Sequence, residues 1–156
     1  MKPELEIIDY LAEHQPAFSA LNIAWIEKSF VVEEVDRIVL GDPEKYILSK
    51  GGQIIMAQYE NAIVGTVALK KLNDTTLELT KMAVDENYRG LKIGYHLGVA
   101  ILEKAKNSGA KKVELFSNTK GSAIAILLYR KLGFKEIPLG EKGYDRADIR
   151  MEISFE

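Results

Sequence analysis

The sequence predicts an α/β fold of the mixed α+β kind, in which helices flank a mostly antiparallel sheet that contains one parallel pair of strands. Two apolar runs separated by Glu60-Asn61 indicate a hairpin, and a third run follows Asn73-Asp74, so three strands form an antiparallel meander. Downstream, a strand, a helix and a strand follow one another, which indicates a parallel pair joined by a right-handed crossover. The last segment, 147–155, alternates apolar and charged residues like a half-solvated antiparallel strand.

Each element follows from the hydrophobic period along the chain. Gly41-Asp42-Pro43 ends the second helix, because glycine suits the position after a helix and proline cannot continue it. The predicted strands are 4–10, 53–59, 62–69, 75–84, 112–117, 134–137 and 147–155. The predicted helices are 15–30, 33–40, a short turn at 43–46, a helix from about Ile93 to 107, and 122–132. In the last of these helices, the predicted buried face consists of Ile124, Leu127, Leu128 and Leu132.

Composition limits the classes of function. At 156 residues and 47% hydrophobic, the chain suits one compact domain over residues 1–156. A net charge of −2 gives no field that attracts nucleic acid or an anionic membrane, so neither is an expected partner. Without cysteine there is no disulfide, thiolate nucleophile or thiolate metal ligand, and two distant histidines make a metal site an unexpected feature. No export signal or apolar run of ~20 residues is visible, which predicts a cytoplasmic protein.

The loop that follows the third strand of the meander is a candidate anion site. Residues 89–94 read Arg-Gly-Leu-Lys-Ile-Gly and open a helix. Unpaired N–H groups and the positive end of the macrodipole at a helix start favour an anion, usually phosphate. The pattern is neither a nucleoside-triphosphate loop nor a dinucleotide loop, since Gly90, Gly94 and Gly98 are four apart. On spacing alone, an ordinary connection with glycines for close packing explains the loop equally well.

A second segment makes the pattern specific. Asn118 ends a predicted strand, and the helix after it leads through Ala125 to Phe134, AILLYRKLGF. Together with the strand 78–84 (ELTKMAV) and the loop 89–94 (RGLKIG), this segment resembles the GNAT superfamily, the acyl-CoA-dependent N-acyltransferases. The flanking helices and strands fit that family's layout across nearly the whole chain.

The resemblance implies acetyl-CoA as the acyl donor, a primary amine as the acceptor, and direct attack of one on the other in a ternary complex. It implies that the strand backbone binds the pantetheine arm, that the loop and helix start wrap the pyrophosphate, and that Asn118 holds a pantetheine amide. Family members often pair through sheet edges or terminal strands, so a homodimer is an implied assembly. The implied cofactor-binding residues are Met82, Ala83, Val84, Arg89, Gly90, Leu91, Lys92, Ile93, Gly94, Tyr95, Asn118 and Tyr129.

Lys92 departs from the family's loop, Q/R-x-x-G-x-G/A, in which a glycine occupies that position. Glycine lets the backbone approach the pyrophosphate with no side chain between them. The Lys92 ammonium offers compensation by meeting the phosphate itself. The alternative is a weakened site in a non-catalytic acyl-CoA-binding sensor or interaction module that kept the fold and lost turnover.

Tyr129 and Glu78 are the candidate catalytic residues. The resemblance places Tyr129 beside the thioester sulfur, where a phenol of pKa ~10 and a departing thiolate of pKa ~8.5 can share a proton. Glu78, on a strand face predicted to include Thr80, Met82 and Val84, would take the amine proton through water or with a pKa raised by burial. A backbone N–H between Met82 and Val84 would meet the oxyanion. The structural alternatives are a tyrosine packed on an amphipathic helix and a carboxylate paired with a surface lysine.

Acceptor contacts are predicted on the amino-terminal helices and on the loop before the last strand. Trp25, Phe30, Glu33 and Tyr144 are the candidates, because aromatic rings together with acids suit a cationic amine. Alternatively, Trp25 and Phe30 belong to the core, and Glu33 lies with Asp36 on a solvated helix face. Protein amino termini, lysine side chains and small amines are all compatible acceptors.

Overall fold

The computed structural model describes residues 4–88, 90–140 and 146–155, which form seven strands and five α-helices. The strands are β1 (Leu5–Asp9), β2 (Gln53–Tyr59), β3 (Ala62–Lys71), β4 (Thr76–Val84), β5 (Lys112–Ser117), β6 (Lys135–Ile137) and β7 (Ile149–Ser154). The helices are α1 (Gln15–Glu27), α2 (Glu34–Gly41), α3 (Pro43–Tyr46), α4 (Ile93–Asn107) and α5 (Ala123–Leu132). Within these ranges, none of the helices has the length and apolar character needed to cross a membrane.

All seven strands form one sheet, in the order β1-β2-β3-β4-β5-β7-β6. Every neighbouring pair is antiparallel except β4 and β5, which run parallel and are connected through α4. The mixed architecture, the meander of β2 to β4 and the single parallel pair therefore confirm the predicted fold class. The first long helix ends at Glu27, three residues earlier than predicted, and Ser29 N–H bonds to the Ile26 carbonyl in a tighter i→i−3 turn.

Helices cover both faces of the sheet. On one face, the first three helices enclose a core of Phe18, Leu40, Ile47, Ile54, Met56 and Ala68. On the other face, α4 and α5 pack against the sheet, and the larger core there includes Val67, Leu69, Leu79, Ile93, Leu97, Ile101, Leu115, Ile126, Tyr129 and Met151. The resulting α/β/α layering gives β4 a helix-covered face on each side.

The buried face of α5 differs from the prediction. Ile124 and Leu127 are 84% and 68% exposed, whereas Ile126 and Tyr129 are buried. The sequence AIAILLYRKL is apolar on most sides, so the helical period fits two different faces, and packing on α4 and the sheet selects the one that carries Tyr129. Including Ile124 and Leu127 in the core was therefore wrong.

Gly94 and Gly98 allow α4 and α5 to approach each other closely. A Cβ at Gly94 would lie 3.1 Å from Leu128 Cδ2, and a Cβ at Gly98 would lie 2.5 Å from Leu132 Cδ1. Two glycines four residues apart share one face of a helix, here the face toward α5. The packing explanation of the glycine spacing thus holds for these two positions.

A β-bulge interrupts β4. Thr66 pairs with Ala83 and Ala68 pairs with Thr80, so Lys81 and Met82 both lie opposite Val67. The bulge reverses the alternation of side chains, and Met82 and Val84 pack with Leu77 and Leu79 in the larger core. Glu78 and Thr80 therefore point to the opposite face from Met82 and Val84. The predicted face shared by Glu78, Met82 and Val84 was wrong, because regular alternation does not anticipate an extra residue.

Candidate active site

The parallel strands separate and open a cleft between them. β4 and β5 pair only at Thr76 to Glu78, while β5 continues its pairing with β7 as far as Ser117. The backbone of β4 beyond Glu78 therefore lacks a neighbouring strand on the β5 side. An extended strand edge of this kind presents N–H and C=O groups to a ligand that runs alongside it.

Two connected cavities occupy this opening. The outer cleft, of about 400 Å³, is lined by Trp25, Met82, Ala83, Val84, Lys92, Gly94, Tyr95, Ile124, Ala125, Leu128, Tyr129 and Lys131. The inner cavity, of about 100 Å³, is lined by α1, the bulge of β4, the end of β5 and the start of α5. Four residues line both spaces: Trp25, Met82, Ala125 and Tyr129. Of the predicted cofactor-binding residues, Met82, Ala83, Val84, Lys92, Gly94, Tyr95 and Tyr129 line the outer cleft. Gly90, Leu91 and Ile93 are outside that lining, and the Ile93 side chain is buried in the larger core.

Tyr129 stands where the two cavities meet. Its ring is buried and packs edge-to-face on Phe134, with the centroids 5.9 Å apart. Burial raises the pKa of the Tyr129 hydroxyl to about 12, so the phenol remains protonated at neutral pH. No hydrogen bond joins that hydroxyl to any other residue that the structure describes. Tyr129 is therefore a buried, protonated phenol that lines both cavities.

The start of α4 forms the far end of the outer cleft. Lys92 precedes the helix with φ 54° and ψ 40°, the left-handed conformation that glycine adopts most readily. The first bond of the helix runs from His96 N–H to the Lys92 carbonyl at 3.1 Å. The N–H groups of residues 93–95, in the first turn, therefore have no acceptor within the helix. The backbone at Lys92 therefore follows a path suited to the glycine of the family pattern. Arg89, a predicted ligand, lies outside the described residues.

We expect Lys92→Gly to separate the backbone role of this position from its charge. The left-handed conformation costs a lysine about 1–2 kcal/mol, and glycine adopts it without that strain. Glycine also loses more conformational entropy on folding, so the free energy of unfolding should rise by up to about 1 kcal/mol. Loss of the ammonium should weaken CoA binding roughly five-fold. Denaturation and calorimetry of Lys92→Gly and of the charge-conserving Lys92→Arg measure both effects. Unchanged CoA affinity in the glycine variant would exclude a phosphate contact by Lys92.

Asn118 connects the end of β5 to two other segments. Its amide Nδ2 donates to the Arg146 carbonyl, and its Oδ1 accepts from the N–H groups of Lys120 and Gly121 at 2.9 and 2.8 Å. Asn118 lines the inner cavity rather than the outer cleft. In this structure it positions the start of α5 and the segment that carries Arg146, and its contact with pantetheine stays a prediction.

Glu78 is a buried carboxylate close to the inner cavity. It is 7% exposed, and the register places it beside Lys70 on β3 and Glu114 on β5. Burial raises the pKa of Glu78; the charge of Glu114 adds to the increase, and the charges of Lys70 and Lys81 oppose it. No hydrogen bond or ion pair links its carboxylate to another described residue. Glu78 is two residues along β4 from Thr80, which lines the inner cavity. A water molecule would therefore have to carry a proton between the Glu78 carboxylate and a ligand in that cavity.

We expect Glu78→Gln to stabilise the protein at neutral pH by about 1–3 kcal/mol, because glutamine keeps the size of the side chain and removes the cost of burying a charge. In the unfolded chain this carboxyl loses its proton near its ordinary pKa of 4.5, whereas the folded chain retains the proton to higher pH. The unfolded state then binds fewer protons, so wild-type stability falls as pH rises through this window and the benefit of glutamine grows. Urea denaturation at several pH values measures the difference.

Glu114→Gln is the matched control for that variant. Glu114 has similar burial on the neighbouring strand, but its Oε1 accepts from Arg150 at 2.8 Å and lies 3.5 Å from Lys112 Nζ. Removing its charge should therefore destabilise the protein. If both variants lower the free energy of unfolding equally, Glu78 has a partner in solution and is not the isolated carboxylate described above.

The predicted acceptor residues lie in different places. Trp25 and Phe30 line the inner cavity. Glu33 does not: its Oε2 accepts from Arg146 Nη1 at 2.7 Å, behind the cavity wall. Tyr144 lies outside the described residues. The aromatic contacts thus stay candidates for acceptor binding, while Glu33 is positioned to hold a cation of the protein itself.

Sequence reasoning missed an ion-pair network beside the inner cavity. Asp36 is fully buried and accepts from Arg146 Nη1 and Nη2, both at 2.9 Å, and its Oδ1 lies 3.6 Å from Lys81 Nζ. Burial alone would raise the pKa of Asp36, but hydrogen bonds from Arg146 and from the Glu33 N–H, with the charges of Lys81 and Arg146, lower it overall. The only local signal was Glu33-x-x-Asp36, which closes a capping box at the start of α2. The described residues contain no cluster of three or more histidine or acidic side chains suited to a metal ion.

Comparisons with known proteins agree with this geometry. The sequence model of the acetyltransferase (GNAT) family matches residues 9–134. N-acetylaspartate synthetase of Xenopus tropicalis is 35% identical over 107 residues, which are 67% of this chain and 39% of that protein. YvbK of Bacillus subtilis, named as an uncharacterized N-acetyltransferase, is 33% identical over 107 residues, which are 66% of this chain and 68% of that protein. The chain thus spans about two fifths of the length of the first relative.

Solved structures share the fold. An acetyltransferase of the GNAT family from Staphylococcus aureus Mu50 superposes with a TM-score of 0.88 at 24% identity, over 98% of this chain and 100% of that chain. The structure of yncA from Salmonella typhimurium, solved with its cofactor acetyl-CoA, superposes with a TM-score of 0.78 at 16% identity, over 98% and 95% of the two chains. With the family match covering most of its length, the chain belongs to the GNAT family of acetyltransferases.

Proposed function

We propose that this protein, acting as a single domain, transfers an acetyl group from acetyl-CoA to a primary amine within a ternary complex. The observation that carries the proposal is the position of Tyr129, a buried and protonated phenol where the outer cleft meets the inner cavity. The outer cleft has the size and apolar lining that suit a pantetheine arm, and it ends at the start of α4, where phosphates would bind. The inner cavity would then hold the amine.

The chemistry balances with groups of this chain. The amine nitrogen attacks the thioester carbonyl carbon, a C–N bond forms, and a backbone N–H of β4 between Met82 and Val84 meets the oxyanion. The C–S bond then breaks, the Tyr129 hydroxyl hydrogen passes to the departing sulfur, and the extra proton that the nitrogen carries after its attack passes through water to the tyrosine oxygen, which leaves an amide, a CoA thiol and a neutral phenol. A phenol with a pKa of about 12 is a weaker acid than a CoA thiol, so Tyr129 acts as a hydrogen-bond donor that shares its proton as the thiolate forms.

The amine must also lose its proton, because an ammonium has no lone pair with which to attack. Glu78 supports this role: burial raises its pKa, which makes it a better base than an ordinary carboxylate. Since it does not line the inner cavity, the proton passes through water. A carboxylate without a partner next to a cavity fits a functional role better than a structural one.

Binding and turnover together test this function. Acetyl-CoA at ~100 times its dissociation constant should stabilise the protein by roughly 2.7 kcal/mol and raise its melting temperature. Thiol release should then follow addition of amines from a panel of amino acids, peptides and polyamines; the name N-acetylaspartate synthetase of one relative places amino acids in that panel. An unchanged melting curve at millimolar acetyl-CoA would refute the proposal. Binding without release for any amine would instead identify an acyl-CoA sensor.

A further inference from the structure

The inner cavity carries positive charge on its wall. Its lining includes Lys81 and Arg146, and among the described residues it includes no carboxylate. The acidic partners of these cations, Asp36 and Glu33, are outside that lining. A ligand in the cavity therefore meets the two cations before it meets either carboxylate. This arrangement is the reverse of one that would hold a cationic acceptor.

The two cations are held in fixed positions. Arg146 forms a two-pronged contact with Asp36 and a further bond to Glu33 at 2.7 Å, and its guanidinium lies 5.9 Å from the centre of the Phe30 ring. The Lys81 side chain is only 5% exposed. Buried cations with acidic partners behind them are already desolvated and oriented. The free-energy cost of ordering and desolvating them when an anion binds is therefore small.

The backbone at Lys81 is strained in a way that serves the cavity. Lys81 has φ 57°, a conformation that costs a non-glycine residue about 1–2 kcal/mol. In a regular strand, residue 81 would point to the face of Leu77 and Leu79, but the bulge turns its ammonium toward Asp36 and the cavity. Backbone strain of this kind concentrates at binding and catalytic sites.

The cavity is also small. A single water needs about 10–15 Å³ of such space, so 100 Å³ holds on the order of seven to ten heavy atoms. Trp25, Phe30 and Phe116 contribute aromatic walls, and the buried Ser122 contributes a hydroxyl. The space suits a molecule of amino-acid size.

On the basis of the proposed function, we propose that the acetyl acceptor is a small amino acid, whose carboxylate is bound by Lys81 and Arg146 in the inner cavity while its amine faces the thioester near Tyr129. Each of these contacts is a charge-assisted hydrogen bond. The inference replaces the cationic acceptor that the aromatic and acidic residues of the sequence suggest.

Matched acceptor pairs test the inference. We expect kcat/KM with glycine or alanine to exceed that with glycinamide or alaninamide, respectively, by about 10- to 100-fold, the range for a hydrogen bond to a charged group. The carboxylate of an amino acid raises the pKa of its own amine, so a smaller fraction of the acid than of the amide carries the uncharged amine that reacts. A higher kcat/KM for the acid must therefore come from binding of the carboxylate. Putrescine, which is a dication, should be the poorest substrate. Equal or better turnover of the amides or of putrescine would overturn the inference.

Variants locate the preference. Lys81→Gln should reduce the acid-over-amide ratio about ten-fold, mainly by raising KM for the acid. Arg146→Gln removes the second cation and leaves Asp36 with Lys81 Nζ 3.6 Å away, and it should have a similar effect. Lys28→Gln is the matched surface control, because Lys28 pairs with Glu86 and is outside the lining of the inner cavity. An undiminished ratio in both cavity variants would overturn the inference.

The two levels of proposal fail differently. Acetylation of amines with no preference for a carboxylate would remove the amino-acid acceptor and leave acetyl transfer intact. Absence of acetylation for every amine, with acetyl-CoA bound, would remove both. Salt offers a further readout, because a bond from a partly buried cation to an acceptor carboxylate should be only weakly screened, so the acid-over-amide ratio should fall little between low and physiological ionic strength.

Discussion

Tyr129→Phe should reduce kcat by roughly 100-fold or more while leaving the affinity for acetyl-CoA unchanged. The ring that packs on Phe134 is preserved, and only the hydroxyl at the junction of the two cavities is lost. Without that donor, the departing thiolate leaves unprotonated beside the apolar lining of the cleft, where a charge is less stable than in bulk water. Steady-state kinetics with a saturating amine, together with calorimetry of acetyl-CoA binding, measure the two quantities separately.

Stability provides the internal check on this variant. No described residue hydrogen-bonds the Tyr129 hydroxyl, so its removal should change the free energy of unfolding by less than about 1 kcal/mol. The wild-type protein should also lose stability above pH 10, because the unfolded chain releases the tyrosine proton near 10 while the folded chain keeps it to about 12. Tyr129→Phe should remove that part of the alkaline loss.

Tyr59→Phe is the matched control, because Tyr59 packs edge-to-face on Tyr88 and is outside the lining of both cavities. It should retain full activity. If Tyr129→Phe also retains full kcat, or loses activity only through weaker acetyl-CoA binding, then Tyr129 does not donate to sulfur. The cavities would then need another donor, and Ser122, buried at the start of α5, is the nearest hydroxyl in chain order that lines the inner cavity.

The elements of the fold could be predicted because local sequence determines them. The strand and helix periods, the turn at Glu60-Asn61 and the helix end at Gly41 each depend on residues close in the chain. The parallel pair followed from chain order alone. Lys92, Gly94 and Tyr129 line one cleft beside β4, and the family pattern had indicated that arrangement; their contacts with a cofactor stay a prediction.

What sequence could not predict depends on contacts between distant segments. Arg146 meets Asp36 across 110 positions, and neither residue lies in a pattern that identifies its partner. The bulge at Lys81 adds one residue to β4 and so reverses which side chains accompany Glu78. On α5 the apolar residues allow two buried faces, and only the packed helices decide between them. The acceptor proposed above also depends on distant contacts, because it is inferred from which charges face the cavity.

Asp36→Asn should lower the free energy of unfolding at pH 7 by about 3 kcal/mol. Removing one partner of a buried ion pair typically costs 3–5 kcal/mol, because a desolvated charge is left without compensation. The lower end of that range applies here, since Glu33 remains a partner of Arg146, whereas Lys81 loses the carboxylate 3.6 Å away. Asparagine keeps the size of the side chain and an oxygen for the Glu33 N–H, so the loss reports the charge. Urea denaturation of both proteins measures it.

Glu33→Gln is the matched control, because it removes a carboxylate from the same guanidinium at a site that is 24% exposed. The Glu33→Gln variant should lose at most about 1 kcal/mol of the free energy of unfolding, as is usual for partly solvated ion pairs. The pH dependence of stability also distinguishes the Asp36→Asn variant from the Glu33→Gln variant. The Asp36 pKa is lowered on folding from its ordinary 3.8, so as pH falls through that value the unfolded chain takes up a proton before the folded chain does, and the stabilising contribution is lost.

Asp36→Asn should therefore differ most from wild type at neutral pH and converge with it in acid. A difference that is the same at pH 7 and at pH 3 would mean that packing, rather than charge, makes Asp36 important. The outcome bears on catalysis as well, because Asp36 is the common partner of Lys81 and Arg146. If the charge of Asp36 holds Lys81 and Arg146 in place, the folded Asp36→Asn variant should show a raised KM for the acceptor and an unchanged affinity for acetyl-CoA. That result would distinguish the positioning of the cavity wall from the binding of the cofactor.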